Sequence, residues 1–395
     1  MATHVVTPFP GRVHGAGELL QLLRDGRPRT KSEIAAQIGQ ARSTVTGRLD
    51  ELMGMGLVTL AGEASSTGGR PPATFAFNPT AKVVLAVDLG ASHARLAVTD
   101  LGGTTMAEDD APLAIADGPE PVLEWVVTRA RELLRRADRP LSDLTSIGVG
   151  LPGPVEHSTG RPVSPPIMPG WDGYDVPSNL EAALGAPVLV DNDVNLMALG
   201  EHTAVLPNER ELLFVKVATG IGAGIISEGV LHRGAQGAAG DLGHIAARDA
   251  PRLQCRCGNV GCLEAVASGA AVAQALRAAG LDATTSSEVA ELVRAGEVAA
   301  SRAVREAGRY IGGVLAGCVS LLNPSVIVIG GSLAEAGDQL LAGVREVVTR
   351  DSLPLATQYL RIIVSRTAGR AAVLGASTMA ADHVLSAAAI EARLA

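Results

Sequence analysis

Aromatic side chains are scarce: four Phe, three Tyr and two Trp in 395 residues, about 2%. Aliphatic side chains and alanine must therefore fill the core. Cysteine is also rare, with four in the whole chain. No apolar run is long enough to span a bilayer. The start, Met1 to Pro8, lacks the charged and apolar regions of a signal peptide. A cytoplasmic chain with no membrane partner is expected. Positive charge is in deficit as well, with a net of −8, which argues against a nucleic-acid coat over the whole surface.

That deficit is uneven. Residues 1–82 hold nine Lys/Arg and six Asp/Glu, a net of +3, so the remainder carries −11. A slightly basic head on an acidic body suggests that the head alone meets an anionic partner. At this length two or three domains are expected. The divisions read from the sequence are a flexible N-terminus at 1–13, a head at 14–78 and a body at 79–395.

The head reads as three helices and a flap. Leu19, Leu20, Leu22 and Leu23 give the first helix an apolar face. The second runs from Ser32, as cap or first-turn residue, to Gly39, with Ile34 and Ile38 one turn apart. The third carries Val45, Leu49, Leu52 and Met53 on one face. Its other face shows Arg42, Ser43, Thr44, Thr46, Gly47 and Arg48, small polar and basic residues suited to a major groove. Ala41 stands where a Ser or Thr cap is usual. Leu57–Leu60 and Thr74–Phe77 read as strands flanking a flexible loop tipped by Arg70. Three helices and a two-stranded flap resemble a winged helix-turn-helix.

Three of the four cysteines, Cys255, Cys257 and Cys262, fall within eight residues, and His244 precedes them. One imidazole and three thiolates form a closed tetrahedral set for structural Zn²⁺, leaving no position for a catalytic water. The other reading, a disulfide and a spare thiol, needs an oxidising compartment that nothing here supports. Cys318 reads as a small buried hydrophobe.

The body has three strand-to-glycine turns. Asp88 sits at the end of the first strand, with Gly90 and Ser92 beyond it; a second turn spans 218–224 with Thr219, Gly220 and Gly222; Gly331 lies in the third. A carboxylate, a glycine and a hydroxyl on such a turn suit a metal-bound phosphate. Three in order resemble the two-lobed actin-like ATPase (ribonuclease H-like) fold of sugar kinases, an α/β architecture. Between the halves lie the loop at Gly153 and the strand end at Asn192 and Asp193, with Asp241, His244 and Glu264 further on. Carboxylates, an amide and an imidazole suit a polyhydroxy ligand, and Asp193 is placed to act as a general base on a hydroxyl.

Together these motifs resemble the ROK family, named for repressors, open reading frames and kinases. The run Cys-x-Cys-Gly-x-x-Gly-Cys-x-Glu at 255–264, after Gly243-His244, carries the resemblance most specifically. It implies that His244 and the three cysteines bind zinc, and that His244 and Glu264 reach a sugar. It also implies that Asn192 and Asp193 belong to the sugar site, Asp193 matching the kinase base. Two departures stand out. Asp241 replaces a glutamate, and the kinase loop Asp-x-Gly-Gly-Thr-Lys is here Asp88-Leu89-Gly90-Ala91-Ser92-His93. The resulting expectation is a transcriptional regulator, most simply a repressor, in which the head binds a pseudo-palindromic operator and the body senses a monosaccharide or sugar phosphate. A homodimer or homotetramer is expected. The alternative is a sugar kinase using ATP and Mg²⁺, in which Asp193 is catalytic.

Overall fold

The computed structural model describes residues 15–63 and 71–395. The head contains helices α1 (Ala16–Leu23), α2 (Lys31–Ile38) and α3 (Arg42–Gly54). Its strands β1 (Arg29–Thr30), β2 (Val58–Glu63) and β3 (Ala73–Phe77) pair in the order β1-β3-β2. The expected flap thus gains a third, very short strand. That strand also moves the start of α2. Thr30, not Ser32, is the cap: its hydroxyl accepts from the Glu33 amide at 3.2 Å, and the Glu33 carboxylate accepts from the Thr30 amide at 2.7 Å. Arg29 and Thr30 pair with Phe75 and Thr74, so the helix begins where the strand ends. Gly39 closes α2 at φ +67°, as expected. On α3, Val45, Leu49 and Leu52 are buried, but Met53 is 36% exposed and belongs to the outer face.

The body has two lobes of like design. In the first, β4 (Val83–Leu89), β5 (His93–Asp100) and β6 (Thr105–Pro112) form an antiparallel meander, with α4 (Pro119–Arg136) next in the chain. Strand β7 (Leu144–Leu151) follows, then the small hairpin β8 (Val155–Glu156) and β9 (Arg161–Pro162), helix α5 (Val176–Leu184) and strand β10 (Val188–Asn192). The sheet order is β10-β7-β4-β5-β6, with β4, β7 and β10 parallel. Every residue of β4 is buried, as a central strand covered on both faces requires.

Helix α6 (Asp193–Val205) leads to the second lobe. There β11 (Leu212–Val217), β12 (Ile221–Ser227) and β13 (Val230–His232) again form a meander. The glycine turn is tighter than the sequence reading, because residues 221–224 already belong to β12. Helices α7 (Leu263–Ala267), α8 (Gly269–Ala278), α9 (Ser286–Arg294) and α10 (Val298–Leu322) come next. Strand β14 (Val326–Gly330), helices α11 (Asp338–Asp351) and α12 (Pro354–Thr357), and strand β15 (Arg361–Val364) complete an order β13-β12-β11-β14-β15. Each sheet is therefore a meander extended by two parallel strands, the repeated architecture of the two-lobed actin-like fold.

On α10 the buried residues Ala307, Ile311, Leu315 and Val319 pack, with Cys318, inside the second lobe. The bridging element is α13 (Ala371–Leu385), which lies on α6, β4 and β7. Its approach is so close that a Cβ on Gly375 would stand 1.9 Å from the Leu196 carbonyl oxygen. The last helix, α14 (Ala387–Leu394), packs on α1. Head and body consequently share one apolar cluster, in which Leu19, Leu20, Leu23 and Leu49 meet Val84, Leu101, Val384, Leu385 and Ile390. No single helix among the described residues is long and apolar enough to cross a membrane.

Candidate metal centre, ligand cleft and DNA-reading face

The knuckle is built by short backbone links. The Cys255 amide donates to the Asn259 carbonyl at 2.8 Å, and Ala246 pairs with Cys262. Gly258 turns the chain at φ +93°, a conformation that a side chain would resist. These links bring His244, Cys255, Cys257 and Cys262 together, with one donor atom of each within 4.8 Å of every other. Cys255 Sγ lies 3.7 Å from His244 Nδ1, and Cys257 Sγ 3.7 Å from Cys262 Sγ. A tetrahedron with metal–sulfur bonds of about 2.3 Å has edges of about 3.8 Å. The donor spacing fits a tetrahedral ion, whereas a disulfide needs sulfurs about 2.05 Å apart. Burial and the neighbouring thiols push Cys262 up to about 12. Three crowded thiols cannot ionise together without a cation to offset their charge.

Glu264 lies two residues after the last cysteine, in the first turn of α7. Its carboxylate accepts from the Ile221 amide at 3.1 Å, at the turn between β11 and β12. Gly243 lies beside the same carboxylate, since a Cβ there would stand 3.4 Å from Glu264 Oε2. The knuckle thus pins Glu264 against the second glycine turn. Asp241 is exposed at the head of the short turn carrying His244.

Across the cleft, Asn192 caps α6: its Oδ1 accepts from the Val194 amide, and its Nδ2 donates to the Gly153 carbonyl, both at 2.9 Å. That leaves one amide proton for a ligand. Asp193, in the first turn of α6, is 3% exposed. Burial pushes its carboxyl above the usual range, opposed by Lys216, whose ammonium donates to Asp193 Oδ2. Burial would lower Lys216, but the carboxylates of Asp193, Asp88 and Glu264 outweigh it and hold the ammonium above its ordinary value. Asp193 and Lys216 stand as an ion pair.

Asp88 is buried beside this pair, with His93 Nε2 3.7 Å from its carboxylate. That contact raises His93 above its ordinary value. The His93 ring lies over Gly90, where an added Cβ would stand 2.1 Å from it. Ser92 and Thr219 are exposed, and Gly331 turns at φ +90° against the Val217 carbonyl. The structure therefore joins Gly153, Asn192, Asp193 and Lys216 in one chain of contacts, and Glu264 with Gly243 and the Ile221 amide in another.

Two charged residues here went unassigned in the sequence reading. Lys216 is the one charge in the run Leu212–Val217, and a lysine in a buried strand must have a partner. Arg233 donates to Asp191 at 2.7 Å, and Asp191 also accepts from Asn195 at 2.8 Å. Asp191 is a clamp on the loop leading to Asp241.

On the head, Arg42, Ser43 and Thr44 are exposed along the first turn of α3, and Thr46 and Arg48 are half-buried. Thr46 donates back to the Arg42 carbonyl at 2.9 Å. Arg70 lies outside the described residues.

The ROK family profile matches residues 84–383, and the IclR helix-turn-helix domain matches residues 16–61. The chain belongs to the ROK family. The xylose repressor of Caldicellulosiruptor bescii is 28% identical to it over 382 residues, covering 93% of this chain and 95% of the repressor. The N-acetylglucosamine repressor of Escherichia coli O157:H7 is 29% identical, covering 88% and 87%. A crystal structure of a ROK family transcriptional regulator, a homologue of the E. coli MLC protein, superposes with a TM-score of 0.82 at 25% identity, covering 96% of this chain and 98% of that one. The ROK hexokinase from Thermus thermophilus is 31% identical with a TM-score of 0.64, and covers 76% of this chain and 99% of its own. The two repressors and the regulator each cover 88% or more of this chain, the hexokinase 76%.

Proposed function

We propose that this ROK protein is a sugar-responsive repressor of carbohydrate-metabolism genes, acting in the cytoplasm as a homodimer or homotetramer on a pseudo-palindromic operator. The observation that carries this reading is the union, in one chain, of an exposed basic helix-turn-helix face with a body of sugar-kinase architecture. The shared apolar cluster supports a direct mechanical link between them. The similarity to the two named repressors extends over both parts.

In this reading Arg42, Ser43, Thr44, Thr46 and Arg48 face the major groove, and Arg70 reaches the backbone or minor groove. Gly153, Asn192, Asp193, Asp241, His244 and Glu264 receive a monosaccharide or sugar phosphate, whose hydroxyls donate and accept in turn. His244, Cys255, Cys257 and Cys262 hold structural zinc, which fixes the position of Glu264. A sugar acts by binding one state of lobe closure better than the other, and so changes how two heads meet two half-sites.

Selection of bound sequences from random duplex DNA with the full-length chain tests the reading. Enrichment of an inverted repeat with half-sites about one helical turn apart is expected. Recovery of random sequence alone contradicts it.

A further inference from the structure

ROK kinases and this chain share an architecture, yet three groups of this chain stand where nucleotide phosphate and its cation would have to act. Phosphoryl transfer needs a free carboxylate to accept the hydroxyl proton, a divalent cation at the phosphates, and open backbone amides around them. None of the three is left open here.

The carboxylate is Asp193, and it is bound to the Lys216 ammonium. The cation position suggested by the first glycine turn is Asp88, which already faces Lys216 and His93. On β11, Lys216 is paired with Gly222 on one side and Gly330 on the other, so its side chain starts between the second and third glycine turns. The surface of the first turn is covered by the His93 ring lying on Gly90. At the second turn, the Ile221 amide is taken by Glu264, a carboxylate where a phosphate oxygen would bind.

We infer that Lys216, with His93 and Glu264, replaces Mg²⁺ and nucleotide from within the chain. ATP and Mg²⁺ do not fit this cleft as it stands. Lys216 is the positioning residue: its ammonium occupies Asp193 Oδ2, fixes that carboxyl beside the ligand and denies it the role of base. The cleft then binds its sugar with no need of nucleotide or divalent cation. This inference rests on the reading of the body as a sugar receptor.

The test uses the zinc-loaded, full-length chain and Mn²⁺ as probe, followed by the loss of its free paramagnetic signal, with and without the non-hydrolysable nucleotide AMPPNP. Wild type and Lys216→Arg are expected to show no saturable Mn²⁺ site in the cleft. Lys216→Met leaves Asp193 and Asp88 without their counter-charge and is expected to bind Mn²⁺ tenfold or more tightly than wild type, roughly the effect of one removed like charge at this range. A purely structural lysine would not give gain of binding in the methionine variant and none in the arginine variant. Saturable Mn²⁺–AMPPNP binding by wild type overturns the inference whether or not Lys216→Met folds. So does a folded Lys216→Met with no gain. A parallel titration of monosaccharides separates the two readings. If no sugar binds, the receptor reading fails while the cation result stands. If a sugar binds wild type only when Mg²⁺–AMPPNP is added, the inference fails and the receptor reading survives.

Discussion

The Glu391 carboxylate, on the last helix, accepts the backbone proton of Gly17 on the first helix at 2.8 Å. Beside it Gln21 donates to the Leu385 carbonyl at 2.5 Å, and Arg24 pairs with Asp382. The first described helix is thus fastened to α13 and α14. Helix α13 continues from this junction to the floor of the cleft, where Gly375 touches Leu196 of α6, the helix that begins at Asp193. In the proposed mechanism, lobe closure shifts α6, and with it α13, which packs on α6 and leads to the head.

Gly17→Ala tests this junction. Its new methyl group would stand 2.4 Å from the Ala387 carbonyl oxygen, which is backbone and cannot swing aside. A loss of about 1–3 kcal/mol is expected at such an overpacked contact. Sugar affinity should persist while its effect on operator binding shrinks. Calorimetric sugar titration beside operator binding measures both.

Cys257→Ala should remove the metal. Elemental analysis of the wild-type chain is expected to find about one zinc per chain, and the variant little or none. Because the knuckle pins Glu264 against Ile221, the variant should also lose its sugar response. A metal-free wild-type chain that is folded and sugar-responsive would contradict this.

Arg42→Ala should weaken operator binding and lower the slope of log affinity against log salt by about 1 if the guanidinium contacts a phosphate. Sugar binding should be unaffected, since the substitution lies on the exposed face of α3. Titrations at several salt concentrations give both quantities.

The His93–Asp88 contact gives a pH dependence of known sign. His93 has a folded-state pKa above its unfolded value of about 6.5. Its contribution to stability is therefore full below about 6.5 and is lost as pH rises through the folded value. The thermal midpoints of wild type and His93→Ala should differ most in mild acid and converge at mildly alkaline pH. A difference that grows with pH would contradict the contact. The ring is half-exposed, so the effect is small.

What the sequence made legible was mostly local. The metal donors Cys255, Cys257 and Cys262 lie within one short knuckle, and ligand chemistry alone suggested their use. Val45, Leu49 and Leu52 announced the buried face of α3 by their spacing, and the apolar run 83–87 announced a strand ending near Asp88. What stayed hidden depended on distant partners. Thr30 is the cap because β3, some forty residues on, fixes the preceding residue in a strand. Lys216 meets Asp193 across the cleft, and Glu264 meets Ile221 only once α7 has folded against the β11–β12 turn. A lone lysine in an apolar strand was the available signal. It marks a buried ion pair without naming the partner.

The most direct measurement follows the affinity of the full-length chain for its selected operator, by fluorescence anisotropy, as monosaccharides and their phosphates are added one at a time. One of them is expected to change operator affinity by about 5- to 150-fold, the usual range of coupling between two sites. Asp193→Asn should blunt that response without altering operator affinity in its absence. Sequence-specific binding that no sugar alters, or the absence of sequence-specific binding, would contradict the proposed function.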